Sequence, residues 1–219
     1  YIITEDADLE AAVRYGVEDV MINSGQTCTA LARMLVPNSL YEQAQKIAKS
    51  IAEENAVGNP LDANVSMGPL SSLAQKETVV NYINKGIAEG AKLITGGPEM
   101  PQGLSKGAYV KPTIFADVNN QMSIAREEIF GPVLVMLPYD DIDDAVSIAN
   151  DSIYGLSSGV YAKEKSQAIA IARRLKAGQC YIQGSYFNTF SAFGGYKQSG
   201  NGSEWGREHT QSAEFNTRL

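Results

Sequence analysis

The stretch Ala32-Arg-Met-Leu-Val36, followed by Pro37-Asn-Ser39, decides the fold of this chain. The apolar run at 32–36 predicts a buried β-strand, and Pro37 is placed to end it. Asn38 or Ser39 then supplies a side-chain oxygen to cap a helix, in which apolar residues recur at helical spacing as far as Ile51. The expected local order is therefore a strand followed by a helix.

The flanking sequence continues this alternation. Thr4 is placed to cap a helix that Gly25 stops, and Ser71 or Ser72 is placed to start a third helix. We further predict strands or apolar runs at Lys92–Thr95, Tyr109–Phe115, Pro132–Leu137, Ser158–Tyr161 and Gln179–Ile182, and helices at Ile142–Ala149 and Gln167–Leu175. The alternation predicts an α/β fold with an open, mostly parallel twisted sheet and helices on both faces.

The composition argues against several classes of function. The formal net charge of −7 repels phosphate backbones, so we do not expect nucleic acid as a partner. The longest apolar stretch, at 132–138, is far shorter than the ~20 residues of a membrane-spanning helix, and no basic and apolar leader opens the chain. We therefore expect no membrane association and a cytoplasmic location. The two cysteines and single histidine provide neither a disulfide framework nor a metal site.

Four segments resemble, in the same order, signature segments of the aldehyde dehydrogenase family. They are Gly25-Gln-Thr-Cys-Thr-Ala30, Glu127-Glu-Ile-Phe-Gly-Pro-Val133, Asn150-Asp-Ser-Ile-Tyr-Gly-Leu156 and Phe193-Gly-Gly-Tyr-Lys-Gln-Ser-Gly200. The resemblance implies oxidation of a small-molecule aldehyde to a carboxylic acid, with NAD or NADP as the cofactor. It also implies a catalytic domain at 1–206 and a C-terminal tail at 207–219, which only loosely resembles the family's subunit-joining strand.

Cys28 is the predicted catalytic nucleophile. Hydride leaves more easily from a tetrahedral thiohemiacetal than from a planar carbonyl, and a thiolate both adds and departs readily. The small residues around Cys28 leave room for a substrate, and its backbone N–H is placed to help hold the developing oxyanion. The alternative is a small buried hydrophobe, which is the usual role of a free cysteine. The resemblance at Gly-Gln-Thr-Cys favours the nucleophile.

Glu128 and Phe130 are the predicted cofactor-binding residues. A carboxylate can accept two hydrogen bonds from a ribose diol. By resemblance, Glu128 binds the ribose next to the nicotinamide, and Phe130 packs near the nicotinamide ring. The alternative for Glu127 and Glu128 is a solvated turn.

Phe193 is the predicted substrate-pocket residue, again by resemblance. A glycine-rich phosphate loop at Gly200, Gly202 and Gly206 is disfavoured, because no strand precedes it in a strand–turn–helix arrangement. The sequence departs from the family pattern at Ala192, where proline is usual, and at Gln183, where asparagine is usual. Both departures weaken the assignment of the pocket.

Other parts of the family pattern do not occur in this sequence. By resemblance, the general base lies in a Glu-Leu-Gly-Gly segment upstream of the cysteine, but none of Glu5, Glu10 and Glu18 has that context. The asparagine of the oxyanion hole and the strands that bind the rest of the cofactor are likewise missing. Because the chain also opens at Tyr1 on an apolar run, we expect a C-terminal portion of a longer, homo-oligomeric protein.

The leading hypothesis is therefore a partial aldehyde dehydrogenase that is inactive alone. Alternatives are a non-catalytic remnant or binding module with the same fold, and a variant that passes its thioester to coenzyme A. An unrelated cysteine hydrolase is disfavoured, because His209 is the only available histidine partner. We expect Arg33 to form a structural pair, Cys180 to be buried in a strand and His209 to lie at the surface.

Overall fold

The computed structural model of the protein describes residues 1–188 and 190–205. Its strands are β1 (Ile2–Ile3), β2 (Arg33–Pro37), β3 (Lys92–Thr95), β4 (Thr113–Ala116), β5 (Val133–Tyr139), β6 (Ser157–Tyr161) and β7 (Gln179–Ile182). Its α-helices are α1 (Leu9–Met21), α2 (Tyr41–Glu53), α3 (Leu73–Ala88), α4 (Ser123–Arg126), α5 (Ile142–Asn150) and α6 (Lys165–Ala172). Strands and helices alternate along most of the chain, as predicted.

The seven strands form one sheet in the order β3-β4-β5-β2-β1-β6-β7. Every pairing is parallel except that between the edge strand β3 and β4. The predicted α/β fold with a mostly parallel sheet is therefore confirmed. Two elements are missing from the sequence prediction: the short helix α4, and strand β1, which lies between β2 and β6 in the interior of the sheet.

Helices cover both faces of the sheet and form two hydrophobic cores. The side chains of β5 alternate between them: Val133, Val135 and Leu137 pack on one face, and Leu134 and Met136 on the other. Helices α1 and α2 bury their apolar positions on the face with Met136, whereas α3, α5 and α6 cover the face with Leu137. This period of two along a strand buried on both sides fixes the register of the sheet.

Two predicted helix caps are wrong. Asp8, rather than Thr4, caps α1 by accepting a hydrogen bond from the Ala11 N–H at 3.1 Å. A short 3₁₀ turn at Asn38–Leu40 precedes α2, and the side chains of Asn38 and Ser39 bond to Asp140 and Glu5 instead of capping it. The predicted cap at Ser72 is confirmed, since its hydroxyl accepts from the Gln75 N–H at 3.0 Å.

Three boundaries also differ from prediction. Helix α1 ends at Met21, and a 3₁₀ turn at Ile22–Gly25 separates it from the loop that follows. The predicted strand at 109–115 shortens to Thr113–Ala116, because Pro112 cannot donate to a strand ladder. The predicted helix at 167–175 is α6, which ends at Ala172. Bonds between residues three apart follow it, such as that from the Leu175 N–H to the Ala172 carbonyl.

Within the described residues, no helix is both long and apolar enough to cross a membrane. Over the same residues, no group of three or more His, Cys, Asp and Glu side chains is arranged to hold a metal ion.

Candidate active site

A cleft of about 430 Å³ opens at the amino-terminal edge of the parallel sheet. Its walls come from the segments that lead into β2, β5, β6 and β7, together with the start of β1. Ligands of open α/β sheets more often bind beyond the carboxyl ends of the strands. Here the residues of chemical interest lie at the opposite edge, and the cleft brings together Cys28, Glu128 and Phe130.

Cys28 lies at the apex of a tight turn and is exposed to the cleft. The Ala30 N–H donates to the Thr27 carbonyl at 3.1 Å and closes the turn around it. In the described part of the chain, the Cys28 N–H has no hydrogen-bond acceptor. The turn therefore presents a thiol and a free backbone donor on the same residue, which is what stabilisation of an oxyanion next to sulfur requires.

The chain before Cys28 is fixed by a network of local and long-range hydrogen bonds. Asn23 and Gln26 bond to each other's backbone carbonyls at 2.9 and 3.1 Å. The Gln26 side chain also accepts from the Ser71 N–H at 2.8 Å, and the Ser24 hydroxyl donates to the Gly68 carbonyl at 2.9 Å. These bonds tie the loop to the segment that precedes α3.

Gly25 joins the Cys28 loop to the Phe130 loop. Its φ is +75°, in the left-handed region that favours glycine. A Cβ at this position would overlap the Gly131 carbonyl and approach the Pro132 nitrogen to 2.5 Å. Only a residue without a side chain permits this approach, which holds the predicted nucleophile and the predicted cofactor residues in one site.

The two adjacent glutamates have different surroundings. Glu127 accepts a hydrogen bond from the Tyr82 hydroxyl at 2.7 Å and lies 3.7 Å from the Lys85 ammonium. The bond to Glu127 is the main reason that the pKa of Tyr82 is raised to about 12. Glu128 lines the same cleft, and among the described residues its carboxylate has no hydrogen-bond or ion-pair partner. Glu128 is therefore the carboxylate that is free to bind a ligand.

Phe130 is held in an uncommon backbone conformation at the rim of the cleft. Its φ is +55°, and its side chain is 38% exposed. The Gln75 side-chain amide donates to the Ile129 and Phe130 carbonyls at 3.2 and 2.9 Å, and Val79 packs closely against Gly131. Successive turns of α3 thus support this conformation, which is rare for a bulky residue.

Phe193 lies outside the cleft lining and belongs to a separate aromatic cluster. Its ring centroid is 5.7 Å from those of Phe187 and Trp205, and its backbone exchanges two hydrogen bonds with Glu204. The structure therefore groups three of the four predicted site residues and leaves Phe193 apart from them.

The segment after Phe193 nevertheless forms part of the cleft. The Lys197 ammonium donates to the Asn150 and Ser152 carbonyls at 2.7 and 2.8 Å, and the Ser199 hydroxyl accepts from the Gly155 N–H. Burial, with a contribution from Lys176 and Arg33, lowers the pKa of Lys197. These bonds join two of the segments that carry the family resemblance, those at 150–156 and 193–200.

Both departures from the family pattern have a place in the structure. Ala192 is buried, and the Gln183 side-chain amide bonds to the backbone N–H and carbonyl of Ala162. Gln183, which follows β7, therefore extends the pairing of β7 with β6 through its side chain.

Two further expectations need correction. Arg33 lines the cleft but forms no ion pair with a described residue; its guanidinium donates to the Asn120 side chain at 2.5 Å and the Ile148 carbonyl at 2.7 Å. Burial lowers the pKa of Arg33 to about 10. Cys180 is half-buried rather than fully buried, although burial still raises the pKa of its thiol. His209, Gly206 and the tail at 207–219 lie outside the described residues.

Sequence reasoning missed the residues that hold the turn and the two glutamates: Asp19, Ser157, Gln75 and Tyr82. Asp19 carried no usable signal, because a carboxylate at the flank of an amphipathic helix is common. The others carried none, since they are ordinary polar residues of a helix or strand.

The fold and the site define an α/β protein with an exposed thiol, a free carboxylate and an aromatic ring in one cleft. The model of the aldehyde dehydrogenase family matches residues 1–216. The chain belongs to the aldehyde dehydrogenase family.

Among curated relatives, a 3-succinoylsemialdehyde-pyridine dehydrogenase from a Pseudomonas species is 49% identical over 94% of this chain and 43% of its own length. A putative aldehyde dehydrogenase from Staphylococcus aureus is 46% identical over the same shares. The chain thus spans about two fifths of the length of these relatives.

Solved structures agree with this assignment. An aldehyde dehydrogenase from Pseudomonas syringae, a cysteine-to-alanine variant solved with NAD⁺ and octanal, superposes with a TM-score of 0.92 at 44% identity. The superposition covers 94% of this chain and 42% of the Pseudomonas syringae chain. The Mycobacterium tuberculosis aldehyde dehydrogenase, solved with NAD⁺, superposes with a TM-score of 0.91 at 42% identity. That superposition covers 98% of this chain and 44% of the Mycobacterium tuberculosis chain.

Proposed function

We propose that this chain supplies the nucleophile and the nicotinamide-side residues for NAD(P)-dependent oxidation of an aldehyde to a carboxylic acid. The observation that carries the proposal is the exposed Cys28 thiol, with a free backbone N–H, in the same cleft as the unpaired Glu128 carboxylate. A reactive thiol needs access, whereas a structural cysteine is normally buried. Family membership favours this chemistry over that of a cysteine hydrolase.

The covalent step is proposed to occur at Cys28. The sulfur adds to the aldehyde carbon, and the thiol proton ends on the carbonyl oxygen, which gives a thiohemiacetal. The free Cys28 N–H donates to that oxygen while its negative charge develops. Loss of a hydride from its carbon and of the proton from its oxygen would convert the thiohemiacetal to a thioester, and hydrolysis of the thioester would return the thiol and release the acid.

Glu128 and Phe130 fit the nicotinamide riboside part of the cofactor. Glu128 offers two carboxylate oxygens that no described residue occupies, and the half-exposed ring of Phe130 offers a flat apolar surface beside it. NAD⁺ or NADP⁺, when bound, accepts the hydride in this reaction. The relatives from Pseudomonas syringae and Mycobacterium tuberculosis, both solved with NAD⁺, support this choice of cofactor.

Phe193 is proposed to contact the aldehyde as part of the cluster with Phe187 and Trp205. The exposed edges of Phe187 and Trp205 suit an apolar substrate, and octanal in the Pseudomonas syringae relative supports that class. This site would extend beyond the cleft that holds Cys28.

The 219-residue chain is proposed to lack turnover when assayed alone. The sequence contains no Glu-Leu-Gly-Gly segment, which by resemblance carries the base that activates the deacylating water. We also propose that the catalytic domain at 1–206 and the tail at 207–219 take part in a homo-oligomer of the whole protein.

Protection of Cys28 by aldehyde tests the nucleophile. The folded chain is incubated with octanal or with octanol, treated with a limiting amount of iodoacetamide and analysed by peptide mass spectrometry. We expect octanal to slow the alkylation of Cys28 reversibly and octanol to have no effect, because only the aldehyde carbon can accept the thiol. Alkylation of Cys180 serves as an internal control. Equal protection by octanal and octanol would contradict the covalent role of Cys28.

A further inference from the structure

The carboxylate of Asp19 connects helix α1 to the chain just after Cys28. Asp19 lies on α1, and its Oδ2 accepts a hydrogen bond from the Leu31 N–H at 2.8 Å. Leu31 is buried in the core between α1 and the sheet. Asp19 thus links the helix before the Cys28 turn to the residue directly after it.

Three backbone groups that follow Cys28 are hydrogen-bonded. The Thr29 carbonyl accepts from the Ser157 hydroxyl at 2.8 Å, the Ala30 N–H donates to Thr27, and the Leu31 N–H donates to Asp19. By contrast, the Cys28 and Thr29 N–H groups have no acceptor among the described residues. These bonds therefore fix the turn in which Cys28, with its free N–H, lines the cleft.

Asp19 is an unexpected residue for this position. Its neighbours on the same side of α1 are apolar, and burial raises the pKa of its carboxyl even though the Leu31 N–H bond opposes that effect. The adjacent Glu18 is exposed, and among the described residues it pairs with Arg14 alone, at 3.5 Å. A half-buried carboxylate costs desolvation energy, which the contact with Leu31 must offset.

We propose that Asp19 is a positioning residue for the Cys28 nucleophile, holding its turn so that the Cys28 N–H points at the reacting oxygen. The inference rests on the proposed nucleophile role of Cys28. Asp19 acts through Leu31 and contacts neither the substrate nor the cofactor. Ser157 supports the same turn from the sheet side.

Two reagents distinguish positioning from general stability. Transfer of an acetyl group from p-nitrophenyl acetate to Cys28 forms a sulfur–carbon bond, releases p-nitrophenolate and passes the thiol proton to solvent. That transfer goes through an oxyanion and needs the aimed N–H, whereas alkylation by iodoacetamide forms no oxyanion. The informative quantity is the ratio of the two rate constants at Cys28, measured by absorbance and by peptide mass analysis.

The variants are Asp19→Ala, Asp19→Asn and the exposed control Glu18→Gln. In Asp19→Ala we expect the ratio to fall about tenfold, near the low end of what one hydrogen bond to a charged acceptor contributes. Asp19→Asn keeps a side-chain oxygen for the Leu31 N–H and should restore the ratio to within about twofold of the parent, as should Glu18→Gln. A melting curve for each variant establishes that it is folded under the assay conditions.

Each outcome has a distinct meaning. An unchanged ratio in Asp19→Ala, or a ratio in Asp19→Asn as low as in Asp19→Ala, overturns the positioning role and leaves the nucleophile intact. Equal loss of both rates also overturns it, because a merely structural defect would act on both reagents. If the parent releases no more p-nitrophenolate than a Cys28→Ser variant, the nucleophile proposal fails, and this inference fails with it.

Discussion

Replacing Gly25 with alanine should destabilise the site far more than the same change at Gly90. Both glycines have a positive φ, +75° for Gly25 and +92° for Gly90, so alanine at either costs about 1–2 kcal/mol of conformational energy. At Gly90 no atom lies within 4 Å of an added Cβ. At Gly25 the new Cβ overlaps the Gly131 carbonyl, and forcing the two backbones apart adds about 1–3 kcal/mol.

The expected total is therefore about 2–5 kcal/mol for Gly25→Ala and about 1–2 kcal/mol for Gly90→Ala. For a chain of this size, 1 kcal/mol corresponds to roughly 2–4 °C in melting temperature. Calorimetry should find the Gly25 variant melting well below the Gly90 variant. Urea unfolding gives an independent free energy of unfolding for each. The conformational term is common to both, so their difference reports the close approach itself, and equal melting temperatures would refute that contact.

Three other predictions follow from the site. The purified chain should produce no NAD(P)H from octanal and cofactor, and absorbance above that of a Cys28→Ser control would contradict the missing base. Iodoacetamide should label Cys28 before Cys180 at neutral pH, and Cys180 should gain only at more alkaline pH, because burial raises the pKa of its thiol; equal labelling of the folded chain at neutral pH would count against this. Tyr82→Phe should lower the free energy of unfolding by about 0.5–1 kcal/mol through loss of its bond to Glu127, whereas Glu128→Gln should change it by less than about 0.5 kcal/mol. Urea denaturation measures both, and a larger effect at Glu128 would reverse their assigned roles.

The fold was predictable wherever local sequence and tertiary structure agree. The strand at Lys92–Thr95 was predicted with its observed ends, and that at Val133–Tyr139 nearly so, because apolar runs bounded by turn residues encode them. Strand β1 was missed because two residues are too few to show a pattern. It becomes a strand through pairing with β2 and β6, which depends on the whole sheet.

The helix starts show a competition that the sequence does not resolve. Thr4, Asp8, Asn38 and Ser39 are all chemically able to cap a helix. The Thr4 hydroxyl instead donates to Asp6 at 2.6 Å, and Asn38 and Ser39 bond across the carboxyl edge of the sheet. The partner of Thr4 is two residues away, whereas those of Asn38 and Ser39 are distant in sequence, so cap chemistry alone could not choose Asp8.

In the candidate site, the sequence identified residues, but their separate roles depend on the tertiary structure. Cys28, Glu128 and Phe130 were found by resemblance, and the structure groups them in one cleft, but their distinct roles depend on residues far away in sequence. Glu127 and Glu128 are equivalent by local chemistry. They differ because the Tyr82 hydroxyl on α3 donates a hydrogen bond to Glu127 at 2.7 Å. Gln75 on the same helix donates to the Ile129 and Phe130 carbonyls, which follow Glu128. Because the backbone is fixed on both sides of Glu128, its side chain is left in the cleft with no partner among the described residues. The free carboxylate is thus a product of how α3 packs, which no reading of the Glu-Glu pair by itself could supply.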